Sequence, residues 1–190
     1  MTSILKADTI QDTDGNNIIN ENGNTITIGA SGDTTNIIGT LQNNGAAVGN
    51  TNAPIFYAYG SSGISLTNNA FTKITFDTEV VDASGIYDTS NNRVTFGSTG
   101  RFVLAVRLNV GSSGTNAYTI RVYRNGSGWR DVYTDYLSNN TDVNVNAYCL
   151  LNNENTTDYY EVYVYQNSGS TKTTGSGMHA LFFAGYKIIE

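Results

Sequence analysis

From Phe102 to Val110 every second residue is a hydrophobe. Phe102, Leu104, Val106, Leu108 and Val110 alternate with Arg101, Val103, Ala105, Arg107 and Asn109. A period of two predicts a β-strand with one buried face. The same beat returns in Tyr118, Ile120 and Val122, which run into Asn125-Gly126, a strong short-range sign of a hairpin. Val143, Val145, Ala147, Cys149 and Leu151 share one face of a further strand, with Asn144, Asn146, Tyr148 and Leu150 on the other. Residues 159–166 and 178–189 complete the set. About eight strands separated by Gly, Asn and Ser turns, with no helical periodicity, predict an all-β, two-sheet antiparallel sandwich.

Before Pro54 the pattern changes. Aliphatics come singly or in pairs at near-regular spacing: Ile4-Leu5, Ile10, Ile18-Ile19, Ile26 with Ile28, Ile37-Ile38, Leu41 and Val48. Turn formers fill the gaps, as in Asp14-Gly15-Asn16 and Glu21-Asn22-Gly23-Asn24. Strands this short cannot bury their aliphatics within one chain, whereas stacking against copies can. The reading is a β-rich extended stalk of three chains, prism-like or helix-like, and the alternative is a flexible linker. Aromatic residues sharpen the boundary. All 13 Tyr, all seven Phe and the one Trp lie at or beyond Phe56, and the one proline is Pro54. Aromatic rings supply much of a core's buried area, so residues 54–190 are expected to form a knob and residues 1–53 an anchor and stalk.

Composition narrows the function. A net charge of -6 and the lack of a basic stripe argue against a nucleic-acid partner. No apolar run is long enough to span a bilayer, so membrane insertion is not expected. A single cysteine excludes an intrachain disulfide framework. The N-terminus has neither a basic start nor an apolar stretch, so no secretory signal is read there. Charged residues make up only 14%, with Asn, Thr, Ser and Gly in their place, as suits β structure solvated by neutral polar groups.

Phrases in the second part resemble the C1q/TNF-like jelly roll. Pro54-Ile-Phe-Tyr-Ala resembles its opening strand. The run from Phe71 to Val81, then Ile86-Tyr87-Asp88 and Arg93-Val-Thr-Phe96, resembles its middle strands. Gly100-Arg-Phe-Val-Leu-Ala-Val, Tyr123-Arg-Asn125-Gly126 and Leu181-Phe-Phe-Ala-Gly185-Tyr-Lys-Ile resemble the later ones. The lead has its own likeness: the run from Ser3 to Gln11, followed by that from Asn24 to Asp33, resembles the start of bacteriophage fibre and decoration proteins. Together these imply a homotrimeric virion protein, assembled in the host cytoplasm and released by lysis.

Catalytic chemistry finds no constellation, and no enzyme is expected. His179 lacks a visible nucleophile and orienting carboxylate, and reads as a structural or surface residue. Cys149 shares a face with Val145, Ala147 and Leu151 and reads as a small core residue. Asp12-Thr-Asp14-Gly15-Asn16 begins like a calcium loop. Asn17 then stands where glycine is needed and Gly23 where glutamate is, so it reads as a turn, with an ion on a threefold axis left open. No cofactor is expected.

Binding residues are better marked. Ile4, Leu5, Ile10, Ile18 and Ile19 are the candidate particle anchor. Tyr159, Tyr163 and Tyr165, with Trp129 and Arg130 on a loop after the hairpin, are the candidate trimer interface or ligand face. The expected partners are two further copies, other virion proteins of the capsid or tail, and a cell-surface glycan. The role expected first is a capsid decoration or head fibre. A tail fibre recognising host glycans and a free C1q-like binding module are the alternatives.

Overall fold

The computed structural model describes residues 9–11, 13–14, 17–22, 25–28, 31–38, 41–43, 46–47, 53–111, 116–137 and 142–188, and these contain strands and no helix. The chain divides into two units, 1–49 and 50–190.

In the first unit, β1 (Thr9–Gln11), β2 (Asn17–Asn22) and β3 (Thr25–Ile28) form a three-stranded sheet in that order. A two-stranded pair follows, β4 (Gln42–Asn43) with β5 (Ala46–Ala47). Isoleucines meet in register across the three strands, Ile10 opposite Ile19 and Ile19 opposite Ile28. Ile10, Ile26, Ile28, Ile37 and Leu41 are exposed, and Ile38 is 96% exposed. Ile4 and Leu5 lie outside the described residues. Ile18 and Ile19 sit in β2, and their side chains are likewise outside the description.

The second unit holds β6 (Ile55–Tyr59), β7 (Ser65–Leu66), β8 (Ala70–Lys73), β9 (Thr78–Val81), β10 (Tyr87–Asp88) and β11 (Arg93–Thr95). The long strands follow: β12 (Gly100–Val110), β13 (Asn116–Arg124), β14 (Ser127–Leu137), β15 (Val143–Asn153) and β16 (Tyr159–Gln166). The short β17 (Lys172–Thr173) and then β18 (Leu181–Lys187) close the chain. Two five-stranded sheets result, β15-β12-β18-β6-β9 and β10-β11-β16-β13-β14. Every pairing in them is antiparallel. The last strand lies between β12 and β6 in mid-sheet, so the sheet is closed by contacts of long sequence separation.

The alternating residues form the core between the sheets. Phe102, Leu104 and Val110 are fully buried, as are Tyr118, Ile120 and Val122 from the facing sheet. Rings fill the space between. Phe56 stacks on Tyr87 at 5.3 Å and meets Phe183 edge-on at 4.9 Å. Phe96 stacks on Phe102 at 3.8 Å and tilts against Tyr160 at 6.0 Å. Gly185 is required where β18 passes this layer, because a Cβ there would lie 2.8 Å from both the Phe56 ring and the Val103 carbonyl oxygen.

The strand expected over 178–189 begins later. Gly177, with φ of 80°, opens a turn in which its carbonyl accepts the amides of Ala180 and Leu181. His179 therefore sits on an exposed turn and not in the strand. The hairpin expected at Asn125-Gly126 is present, both residues having positive φ (52° and 76°) as a two-residue primed turn demands.

That hairpin is fastened to the corner between β15 and β16 by buried Asp158. One carboxylate oxygen accepts from the Asn125 amide at 2.7 Å, and the other accepts from the Arg124 guanidinium. The Asn125 side-chain oxygen in turn accepts the Tyr159 amide at 3.1 Å. The Asn125 amide, and then Arg124, hold the Asp158 carboxyl below the usual carboxylate range against the opposing effect of burial.

Gly185→Ala is expected to cost about 2 kcal/mol through overpacking, read as a lower urea midpoint at unchanged slope. The Asp158 contribution has a definite sign. Its folded pKa lies below the unfolded value of about 3.9, so the stabilisation is complete above that value and is lost as pH falls through the folded pKa. Urea midpoints should drop on acidification below about pH 4, and Asp158→Asn should flatten that part of the curve.

Candidate functional site

Each sheet has one face in the core and one facing outward, and the two outward faces differ. On the β10-β11-β16-β13-β14 sheet, alternation turns Tyr163 and Tyr165 of β16 outward beside Tyr123 of β13. The chain covers them itself. Phe71 of β8 meets Tyr165 at 5.4 Å and Tyr123 at 6.1 Å, and Tyr123 stacks on Tyr163 at 3.9 Å. Arg121 lies 4.4 Å over the Phe71 ring and pairs with Asp131. Lys73 neutralises buried Glu161, and Arg93 lies 4.6 Å over the ring of Tyr159. These rings have partners before any second molecule arrives.

Trp129 and Arg130 stand elsewhere. Both belong to β14 and not to a loop, because the turn at Asn125-Gly126 takes only two residues and the strand resumes at Ser127. Trp129 packs edge-on to Tyr160 at 5.9 Å against the core. The Arg130 guanidinium lies 4.4 Å over the Trp129 ring and donates to the Leu150 carbonyl at 2.8 Å, tying the edge of one sheet to the edge of the other. The five candidate residues thus form a tyrosine row and a separate edge clamp.

The outward face of the β15-β12-β18-β6-β9 sheet carries no sequence motif and is apolar across its middle. Cross-strand register sets Val103 between Leu150 and Tyr186, and Ala105 between Tyr148 and Ala184. Ala184 faces Tyr57, which faces Val81. Tyr148 is 70% exposed and Leu150 57%. Val81 and Tyr186 are also exposed. Tyr57 meets Phe182 edge-on at 5.4 Å, and burial raises its phenol pKa, with Tyr59 adding to the shift. Further along, the face turns polar. Arg107 donates to Asn146 and to the His179 carbonyl, and Asn109 donates to Asn144. A signal existed in the sequence: Phe102 to Val106, Tyr148 to Leu151 and Leu181 to Ala184 are unbroken apolar runs. Such runs mean strands that are non-polar on both faces.

No family model matches the chain, and no curated protein matches it. Solved structures do. Murine APRIL at pH 8.0 is 10% identical, with 70% of this chain and 98% of that chain covered and a TM-score of 0.53. The PRD1 vertex protein P5 is 14% identical, with 71% and 96% covered and a TM-score of 0.50. The globular domain of zebrafish complement 1qA protein is 14% identical, with 72% and 98% covered and a TM-score of 0.49. The fold is a C1q/TNF-like jelly roll. Identities this low speak of fold alone.

Within the jelly roll, Cys149 lies in the core, where burial pushes its thiol pKa up while the Arg130 guanidinium 3.8 Å away pulls the other way. A protonated, buried thiol is a poor nucleophile. His179 sits on its exposed turn, where its backbone carbonyl accepts from the Arg107 guanidinium. Among the described residues no three His, Cys, Asp or Glu side chains group as metal ligands, and the Asp12 to Asn16 segment lies partly outside them. What the described surface shows is an apolar patch on that sheet face, set by Val103, Ala105, Tyr148, Leu150 and Tyr186.

Proposed function

We propose that the jelly roll is the knob of a homotrimeric virion appendage, a capsid decoration or head fibre. Residues 1–53 dock it on the particle and complete a short three-chain stalk. The observation that carries this reading is the uncovered sheet face centred on Ala105, with Tyr148 and Leu150 exposed beside it. A single chain leaves that area in water, and copies packed around an axis would bury it at roughly 25 cal/mol per Å². C1q/TNF-like domains are typically homotrimeric, which supports three copies and not two. The exposed Ile26, Ile28, Ile37, Ile38 and Leu41 pose the same problem in the lead and favour the same solution. The likeness to a phage vertex protein supports a place on a particle. A second reading, attachment to a cell-surface glycan, is favoured by the half-buried rings of Tyr163 and Tyr165 on the opposite sheet, which that assembly would leave outermost.

The full chain should run in light scattering at three times its chain mass. Tyr148→Asp with Leu150→Asp should weaken association at least about 100-fold and give a folded monomer, since both side chains are already solvated in one chain. A monomeric wild type would remove the assembly. Deleting residues 1–20 should abolish association with the particle while the remainder stays trimeric, and binding by the truncated chain would overturn the anchor.

A further inference from the structure

The two-residue turn between β13 and β14 carries a reactive pair. In Asn125-Gly126, Gly126 has no side chain of its own to hinder attack of its amide nitrogen on the Asn125 Cγ. Attack forms the Gly126 N–Cγ bond and breaks the Cγ–Nδ2 bond, closing a succinimide and releasing ammonia with the Gly126 proton. Water then opens the ring, leaving aspartate or isoaspartate. Asn125 is exposed, so water reaches the site freely. Geometry stands in the way instead. The Nδ2 group is held by the Asp158 carboxylate at 2.7 Å, Oδ1 by the Tyr159 amide at 3.1 Å, and the Asn125 backbone amide by the Tyr159 carbonyl at 3.1 Å. Attack requires the Cγ to reach the Gly126 nitrogen, so the side chain must first give up its bonds to Asp158 and Tyr159.

We propose that Asp158 shields Asn125 from this reaction, and that Asn125 is a latent modification site whose conversion unfastens the hairpin. The product cannot rebuild the corner. An aspartate at 125 sets an acceptor and a negative charge against the Asp158 oxygen that had received a donor. An isoaspartate also lengthens the backbone inside a turn that tolerates two residues only. Arg124 holds the other Asp158 oxygen, so the shield and the ion pair are separable.

The test incubates the full chain, its variants and a synthetic peptide of residues 123–129 in one mildly alkaline buffer. Peptide mapping by mass spectrometry then follows aspartate and isoaspartate at position 125. Conversion in the wild type should be at least about tenfold slower than in the peptide, the effect of one or two hydrogen bonds, one of them to a charge. Asp158→Ala should recover most of that factor. Arg124→Gln loosens the same corner but leaves the Asn125 bond in place, and should stay within about threefold of wild type. A wild type as fast as the peptide would overturn the shield, as would an Asp158→Ala rate no faster than wild type. Arg124→Gln as fast as Asp158→Ala would overturn it too, by assigning the protection to general rigidity.

Discussion

The rings of Phe56, Tyr87, Phe96, Phe102 and Phe183 fill the space between the two sheets, and the second unit depends on their packing. They come from β6, β10, the start of β12, β18 and the segment between β11 and β12, so no stretch of consecutive strands can assemble the layer alone. Packing at this density leaves no slack, and Gly185 shows how little: the ring of Phe56 occupies the space a methyl group would need. The first unit has no ring to contribute, and its aliphatics lie open in the described residues. The difference between a core and a bare sheet is therefore one of material, set by where the aromatic residues fall.

Once the core takes one face of each strand, function is left to the other faces. One outward face is finished within the chain, by Phe71 across its tyrosines and by the pairs Arg121 with Asp131 and Lys73 with Glu161. The other has tyrosines and aliphatics in cross-strand register, and Val81, Tyr148, Leu150 and Tyr186 stay exposed there. Two faces of similar aromatic content thus differ in how far the chain covers them. What distinguishes them is the Phe71 ring, which reaches over the tyrosines from β8, itself held beside β16 by the Ile74 amide on the Val162 carbonyl.

Polar groups do the fastening at the rim. Asp158 uses both carboxylate oxygens, Gln166 satisfies its amide on the Leu66 and Ser170 carbonyls and the Ser168 amide, and Arg130 spans from the Trp129 ring to the Leu150 carbonyl. Each secures a loop or an edge that the apolar core does not reach. Such groups are costly if left unpaired, so the corners they hold are well specified.

The sequence by itself determined the strands with strong alternation, their buried faces, the Asn125-Gly126 turn and the place of Cys149 in the core, because these follow from period and from local backbone preference. It also held the sign of the second apolar face, in the unbroken apolar runs of β12, β15 and β18. Only the tertiary structure decided that Phe71 would cover the tyrosine row, that Trp129 would point at the core from within a strand, and that Gly177 would delay the last strand and leave His179 on a turn. Those outcomes rest on pairings between residues far apart in the chain, such as β12 with β18 and β8 beside β16, and a local pattern carries no record of which distant strand will lie next to it.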